Sequence, residues 1–423
     1  MNSSRNVSVD FTMISLSPHP DGKRFALTFV DDTDFSSREN TEPVYDFLHQ
    51  VGLCGTKTVW VRPAKRTSAF REDLARPAGS AFTGATLEDP DYLAFVRKVE
   101  DLGFEIALHG ISAGNSMRSE IIEGLARCRE LLGRIPEMNI FHCRNLENLY
   151  SGAAKLDSLI LRAVERITDH SDYQGHREGA PYFWGDIVRE TFRYVRLPFH
   201  TISDPNTLRV CPAMPFHDPR RPWVRRWFVN SDAFDVGRFN RLLAPANIDR
   251  IARQSGACLV YTHFGMGFAR TRNGRRFLDP DFVRTVEGAM ARPGVWSASC
   301  SALLDRLHAV RQVTWRQTGR ELMFEYGGEV PLLGLTVRLP RGGSVVSPDG
   351  KAIKILDSEV ILPCLDPGER VLLETSWTAD ASSSPPVDTI TPREYRRIEW
   401  VNYRGRVEGK LKDRLDRFRS GRK

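Results

Sequence analysis

The stretch FALTFVDDTD, residues 25–34, decides how the rest of the chain is interpreted. Its first six residues are mainly apolar and are typical of a buried strand. Three carboxylates, Asp31, Asp32 and Asp34, follow at once. Crowded carboxylates repel one another and need a cation, a proton or solvent to be tolerated. Because ligands bind at strand carboxyl ends in α/β folds, this stretch predicts a binding site. The alternative is a solvated loop that caps the next helix.

Helices and strands alternate from this stretch to about residue 310. Helical spacing of apolar residues predicts helices over 42–51, 91–102, 116–132, 247–255, 280–290 and 300–310. Short apolar or β-branched runs predict strands over 56–61, 104–108, 138–143, 258–262 and 295–299. Residues 150–245 show no clear period, and we expect a strand or two with long insertions there. The alternation favours a parallel sheet, closed as a (β/α) barrel over residues 21–312.

The chain beyond the barrel divides by composition. Residues 1–20 form an N-terminal extension. From 315 to 378 apolar residues alternate between turn signals, which predicts a small antiparallel, β-sandwich-like domain. Residues 379–392, ADASSSPPVDTITP, have the composition of a linker. Residues 393–423 form a basic amphipathic helix with Val407, Leu411, Leu415 and Phe418 on one face, suited to docking on an anionic membrane, an acidic partner or its own β-domain.

The charge distribution and the targeting signals limit the kinds of partner and the cellular location that we expect. The net charge is +7, and residues 401–423 carry nine Lys/Arg against three Asp/Glu, so the body is almost neutral. This distribution argues against specific nucleic-acid binding. We find no apolar run long enough to span a membrane and no secretory signal. Seven cysteines without a CxxC pair fit reduced thiols. We expect a cytoplasmic protein, with peripheral contact to the inner face of the membrane through the basic tail as a further expectation.

Four predicted strands end in groups suited to metal binding or proton transfer. These groups are the pair Asp31 and Asp32, then His109, His142 and His263. A single histidine after a strand is more often a structural residue. In a closed barrel, however, all strand carboxyl ends face one rim, so these side chains converge. A mixed set of carboxylates and imidazoles suits a divalent metal ion, with Zn²⁺ preferred.

Three segments resemble ordered motifs of the polysaccharide deacetylase (NodB-homology) family of carbohydrate esterases. They are TFVDD at residues 28–32, GFEIALHG at 103–110 and LVYTH at 259–263. The resemblance covers about residues 25–310. It implies a deformed (β/α)₇ barrel and metal-dependent deacetylation of a saccharide. Taken by order, it implies that Asp31 is the catalytic base and that His263 is the general acid.

The same resemblance implies that Asp32 and His109 bind the metal. Two departures from the family pattern leave these roles open. Val30 is an extra residue before the carboxylates, and a shift of one residue along a strand reverses side-chain direction. The position four residues after His109, where the family has a second histidine ligand, holds Ala113. His142 is the substitute candidate, and Asp34 is the alternative.

Six further residues are candidates for substrate binding. The segment HCRNLENLY, residues 142–150, and the segment YFWGD, residues 182–186, contain amide, guanidinium, carboxylate and aromatic side chains suited to sugars. Loop packing and helix capping are the alternative roles for all six. The candidates are Arg144, Asn145, Asn148, Tyr182, Trp184 and Asp186.

The sequence is compatible with three functions. The first is a metal-dependent deacetylase of an acetylated saccharide, such as a precursor in envelope polysaccharide synthesis. The second is a glycoside hydrolase on the same barrel, with carboxylates such as Asp31 and Asp186 facing each other across a cleft. The third is a non-catalytic carbohydrate-binding or assembly protein, which the missing second histidine and the added β-domain favour.

Overall fold

The computed structural model describes residues 14–65, 83–272, 275–340, 342–348, 350, 353–356, 359–384 and 388–419. The chain forms two compact units. Of the described residues, those within Ala26–Leu303 and Asp388–Lys423 form one unit, and those within Met1–Phe25 and Leu304–Val387 form the other.

The strands and helices are numbered in chain order. The strands are β1 (Ser15–Pro20), β2 (Phe25–Asp31), β3 (Thr56–Val59), β4 (Glu105–Leu108), β5 (Met138–Asn139), β6 (Tyr194–Arg196), β7 (Arg226–Phe228), β8 (Ser231–Asp232), β9 (Ala257–Thr262), β10 (Ala269–Arg272), β11 (Arg275–Leu278), β12 (Val295–Ser297), β13 (Val313–Tyr326), β14 (Leu332–Arg338), β15 (Val345–Val346), β16 (Lys354–Leu356), β17 (Glu359–Leu365) and β18 (Arg370–Ser382). The helices are α1 (Arg38–Val51), α2 (Pro90–Asp101), α3 (Arg118–Leu132), α4 (Leu159–Thr168), α5 (Gly185–Thr191), α6 (Thr207–Val210), α7 (Val236–Leu242), α8 (Pro245–Arg253), α9 (Pro280–Met290), α10 (Cys300–Arg311) and α11 (Pro392–Arg419).

A parallel sheet organises the larger unit. Its strand order is β7-β6-β5-β4-β3-β2-β9-β8, and β12 also pairs with β2. The two end strands, β7 and β8, are separated in the chain only by Val229 and Asn230. Since β7 runs parallel to β6 and β8 runs parallel to β9, they form one extended segment that joins both ends of the sheet. The sheet therefore closes as a barrel with seven strand positions, and the predicted (β/α) barrel is confirmed.

Burial explains why the central strands are apolar throughout. Every residue of β2 and β9 is buried, as expected when helices cover one face of a parallel sheet and the barrel interior covers the other. Helix α1 then begins with Ser37, whose side chain caps the helix together with Asn40. It ends at Gly52, which has a φ of 73° that a glycine adopts without strain. These capping signals explain why a helix begins soon after strand β2 and the three carboxylates at its end.

The segment 150–245 contains more regular structure than the sequence predicted. Helices α4, α5, α6 and α7 and strands β6, β7 and β8 all lie there. The region just before it contains less regular structure than predicted, because the strand expected over residues 138–143 covers only Met138–Asn139. The strands in this segment are two or three residues long, too short to show a period of two along the sequence.

The smaller unit is built from two antiparallel sheets, with strand orders β1-β14-β17-β16 and β13-β18-β15. Their inward side chains form one core that includes Leu322, Leu335, Val360 and Leu373. Two expectations need correction. The N-terminal extension supplies strand β1, and residues 379–382, assigned to the linker, continue strand β18.

Helix α11 packs on the barrel through its first half. The Tyr395 hydroxyl donates to the Lys155 carbonyl oxygen at 2.8 Å. At Gly405 the helix passes so close to the barrel that a Cβ atom would lie 1.7 Å from the Thr201 carbonyl oxygen. The basic tail thus contacts the barrel, while contact with a membrane remains a prediction. Among the described helices, none is both long and apolar enough to cross a bilayer.

Candidate metal site

The carboxyl ends of the barrel strands surround a cavity of about 340 Å³. Five of its lining residues were singled out from the sequence: Asp32, Asp34, His109, His142 and His263. We call this space the site cavity; its lining residues are Asp32, Asp34, His109, Phe141, His142, Cys143, Arg196, His200, Thr201, Asp232, Phe234, Arg238, Tyr261 and His263.

Asp34 lies at the centre of three imidazole rings. Its Oδ2 atom is 3.0 Å from Nε2 of His109, and its Oδ1 atom is 3.0 Å from Nε2 of His142. Nε2 of His263 lies 3.5 Å from Asp34 Oδ2. Burial by itself raises the pKa of Asp34, but His142 and His109 outweigh burial and hold this pKa well below its usual range. Asp34 is therefore a buried, ionised carboxylate.

The hydrogen bond of each Nδ1 atom determines whether the Nε2 atom that faces Asp34 carries a proton or a lone pair. Nδ1 of His109 donates to the Ile140 carbonyl oxygen at 3.0 Å, and Nδ1 of His263 donates to the Phe234 carbonyl oxygen at 2.9 Å. Because a carbonyl oxygen only accepts, each Nδ1 carries a proton. In a neutral ring the Nε2 atom then presents a lone pair to the Asp34 carboxylate. Two electron-rich atoms at this distance repel each other unless a proton or a cation lies between them.

His142 has the same orientation. Its Nδ1 atom lies 3.3 Å from the side-chain oxygen of Asn145, whose amide nitrogen donates to the Gly114 carbonyl oxygen at 3.0 Å. Outer hydrogen bonds of this kind orient histidines that bind metals. Asp34, His109 and His142 each offer one ligand atom, and these atoms lie within 4.8 Å of one another. The donor set fits a divalent cation with nitrogen and oxygen preference, such as Zn²⁺.

Asp32 lies beside this group in a second ion pair. Nη1 and Nη2 of Arg196 donate to its two oxygens at 2.9 and 2.6 Å. The guanidinium also lies 4.6 Å from the centre of the Tyr261 ring. Burial is the largest single influence and raises the pKa of Asp32, but the charge and hydrogen bonds of Arg196 together with the charges of His109 and His263 outweigh it, so the pKa is lowered. Asp32 is held ionised at the cavity wall, with one oxygen 3.7 Å from Nε2 of His109.

Asp31 lies outside the cavity. Its Oδ2 accepts from Nζ of Lys57 at 2.8 Å and from the Tyr45 hydroxyl at 2.9 Å. Its Oδ1 accepts from the Phe264 backbone at 2.7 Å. Neighbouring residues at a strand end point in opposite directions, so Asp31 turns away from the side on which Asp32 lies. Asp31 is therefore corrected as the candidate base, and Asp32, which lines the site cavity, takes its place. Asp34 belongs to both groups of residues that could hold a metal ion, Asp34–His109–His142 and Asp32–Asp34–His263, so Asp34 joins Asp32 as a candidate ligand.

The predicted substrate residues separate into two groups. Arg144 and Asn148 line a cavity that adjoins the site cavity, and Asn145 positions His142. The other three do not belong to the site cavity lining. Trp184 is 1% exposed and donates to the Glu147 carbonyl oxygen, Asp186 pairs with Arg118, and Tyr182 is half-buried. For Trp184 and Asp186 the alternative structural role is the one observed.

Sequence reasoning missed Arg196, Asp232, Tyr261 and His200, all of which line the site cavity. A signal was present for Arg196. It is a charged residue at the end of a short apolar strand in YVRLP, the same pattern that identified the aspartates and histidines. Tyr261 lies inside the segment LVYTH, which drew attention only to its final histidine, and Asp232 and His200 lie in no motif that the sequence analysis identified.

Glu147 accepts a hydrogen bond from Asn145, which in turn contacts His142. Its burial predicts that the stability of the protein depends on pH. Glu147 is 3% exposed, its Oε1 accepts from Asn145 at 3.2 Å, and its Oε2 has no hydrogen-bond partner among the described atoms. Burial raises its pKa to about 8. The folded protein therefore keeps a proton that the unfolded chain loses near pH 4.5. This stabilisation is complete below that pH and is lost as the pH rises towards 8.

We expect Glu147→Gln, which cannot ionise, to remove this pH dependence. Its unfolding free energy should match that of the wild type near pH 5 and exceed it at pH 8.5, by up to about 4 kcal/mol. Urea unfolding of both proteins between pH 5 and pH 8.5 measures the difference. A constant difference between the two proteins across this range would mean that Glu147 does not titrate there.

The comparisons with known proteins give limited similarity. Neither a family model nor a curated protein sequence matches the chain. Among solved structures, it is similar to a probable polysaccharide deacetylase from Pseudomonas aeruginosa PAO1, with 14% identity, a TM-score of 0.38 and coverage of 69% of this chain and 94% of that one. It is also similar to the Puue allantoinase, with 16% identity, a TM-score of 0.39 and coverage of 69% and 93%. At these values the similarity carries no argument about function.

Proposed function

We propose that this protein is a metal-dependent hydrolase that removes an acetyl group from a saccharide. One observation carries the proposal: Asp34, His109 and His142 offer metal ligands in the same cavity as the ionised Asp32 and as His263. The resemblance of three sequence segments to polysaccharide deacetylases suggests the acetylated saccharide. A cation bound there would polarise the acyl oxygen and make a water molecule more acidic.

Asp32 would accept the proton of the attacking water. A general base must be ionised and within reach of the reacting atoms. Arg196 provides the first condition, because it lowers the pKa of Asp32 and so keeps the carboxylate ionised. The second condition, reach of the reacting atoms, is met because Asp32 lines the site cavity. The two parallel hydrogen bonds from Arg196 also fix the plane of the carboxylate.

His263 would donate a proton to the departing amine or alkoxide. Its Nδ1 is committed to the Phe234 carbonyl oxygen, so Nε2 is the atom that faces the site cavity. Burial lowers the pKa of His263, but the hydrogen bond and charge of Asp34 outweigh burial, and the pKa is raised. A raised pKa keeps the imidazolium available as the acid near neutral pH.

The two other functions find less support. Asp186 forms a half-buried pair with Arg118 and Asp31 forms a buried pair with Lys57, and neither carboxylate lines the site cavity. A glycoside hydrolase built on this pair therefore lacks a shared cleft. A non-catalytic carbohydrate-binding protein would not need an ionised carboxylate and an imidazole beside a set of metal ligands. Their presence favours catalysis.

Acetate release from N-acetylated and O-acetylated oligosaccharides tests the proposal. Purified protein should release acetate, lose this activity after treatment with a chelator and regain it when Zn²⁺ is added back. His263→Gln provides the matched control for contaminating esterases, since it removes the proposed acid and should lower the rate at least about tenfold. Activity that persists with chelator, or no release from any substrate, would refute the proposal.

A further inference from the structure

A second cavity, of about 200 Å³, opens beside the site cavity. We call it the side cavity. The two cavities share five lining residues, so they adjoin each other. The shared residues are Phe141, Cys143, Arg196, His200 and Thr201.

The side cavity contains buried polar groups that the protein itself does not satisfy. Ser151 is 6% exposed, and its hydroxyl has no hydrogen-bond partner among the described atoms. The same holds for Nδ1 of His200, whose pKa burial and the nearby Arg196 lower to about 3, so the ring is neutral. Buried polar groups are normally hydrogen-bonded. A hydroxyl and a neutral imidazole among the lining residues are suited to the hydroxyl groups of a sugar.

An aromatic wall completes this environment. The Tyr173 ring lies against Gly152, where an added Cβ would come within 2.9 Å of the ring. The Tyr173 hydroxyl donates to Asp169 at 2.9 Å, and Asn148 adds an amide to the lining. The lining thus combines aromatic rings with polar and charged side chains.

The charges of the side cavity do not balance. Glu165 accepts from Nζ of Lys155 at 2.7 Å and from Nη1 of Arg406 at 2.9 Å, so two cations share one carboxylate. Arg144 and Asp169, which carry opposite charges, also line the cavity. Arg196 is already matched by Asp32. Four lining side chains are cationic and two are anionic, so one positive charge remains in excess after the Arg196–Asp32 pair is counted.

We propose that the side cavity binds the sugar unit next to the acetylated one, and that this unit carries an anionic group, a carboxylate or a phosphate. The proposal rests on the proposed function for the acetylated unit. It assigns the substrate to acidic saccharides of at least two units. It also gives the C-terminal helix a role, because Arg406 and Asn402 of α11 line the cavity.

Binding of three monosaccharides to the full-length, metal-loaded protein tests the charge preference. Calorimetric titration should show that glucuronate or glucose 1-phosphate binds at least about tenfold more tightly than glucose. A preference for glucuronate alone identifies the anion as a carboxylate, and a preference for glucose 1-phosphate alone identifies it as a phosphate. Equal binding of all three sugars, or no measurable binding of either anionic sugar, would overturn the proposal.

Two arginines of the same helix locate the anion. Arg406→Gln should reduce the anion preference about tenfold and leave glucose binding unchanged. Arg404→Gln is the matched control, because the Arg404 side chain is 81% exposed and does not line the side cavity. A preference that persists in Arg406→Gln, or that falls equally in both variants, would place the anion elsewhere and overturn the proposal.

The acetate assay keeps the two proposals separate. Anion binding that depends on Arg406, without acetate release from any substrate, would refute the deacetylase function and retain the anionic-sugar site. Acetate release with no dependence on a neighbouring anionic unit would support the function and overturn this inference.

Discussion

Asp32→Asn should lower kcat by about 10²–10⁴-fold, the range that a general base contributes. The amide keeps the size of the carboxylate and an oxygen that accepts from Arg196, but it does not take a proton from water. Because Asp34, His109 and His142 remain, the variant should bind as much metal as the wild type. Steady-state acetate release together with metal analysis of the same preparation measures both effects.

The neighbouring residue provides the control for this substitution. Asp31→Asn changes the same group one position earlier, in a side chain that points away from the site cavity. Its kcat should remain close to that of the wild type, although its stability should fall. If Asp31→Asn lost activity while Asp32→Asn kept it, the assignment of the base by order in the sequence would be right and the one from the structure would be wrong.

Lys57→Met should destabilise the protein by about 3–5 kcal/mol, which is typical of removing one partner of a buried ion pair. Both side chains of the Lys57–Asp31 pair are fully buried, with 2.8 Å between Nζ and Oδ2. Methionine fills the volume of the lysine but leaves the Asp31 carboxylate charged and buried. Urea unfolding, monitored by tryptophan fluorescence, measures the loss.

The double variant Lys57→Met/Asp31→Asn tests the reason for that loss. With the charge of Asp31 removed, most of the lost stability should return, because a neutral amide still accepts from Tyr45 and from the Phe264 backbone. Equal losses in the single and double variants would show that packing around the lysine, and not its charge, stabilises this part of the barrel.

The sequence predicted the barrel because its longer elements carry clear periods. Strands β2 and β9 are buried on both sides and read as apolar runs, and helices α2 and α9 begin with an aspartate and a proline. Strands of two or three residues, such as β5 and β8, have too few residues to show alternation. Their place in the sheet follows from pairing with neighbours distant in sequence, which no local pattern encodes.

The candidate site was predictable in its residue types and uncertain in its roles. A histidine or an aspartate after a strand was enough to bring His109, His142 and His263 together. The separate roles of Asp31, Asp32 and Asp34 were not predictable, because each role depends on the direction of the side chain at the end of β2. Arg196 settles the position of Asp32, and Lys57 that of Asp31, through contacts between residues 164 and 26 positions apart.

Metal content of purified variants tests the central claim, that Asp34, His109 and His142 bind a cation inside the barrel. Elemental analysis should find about one divalent ion per chain in the wild type and in Asp31→Asn. Asp34→Ala and His142→Ala, each removing one ligand, should retain less than about a tenth of that amount at the same free metal concentration. Full metal content in Asp34→Ala, or no metal in the wild type after growth and purification with added Zn²⁺, would contradict the account.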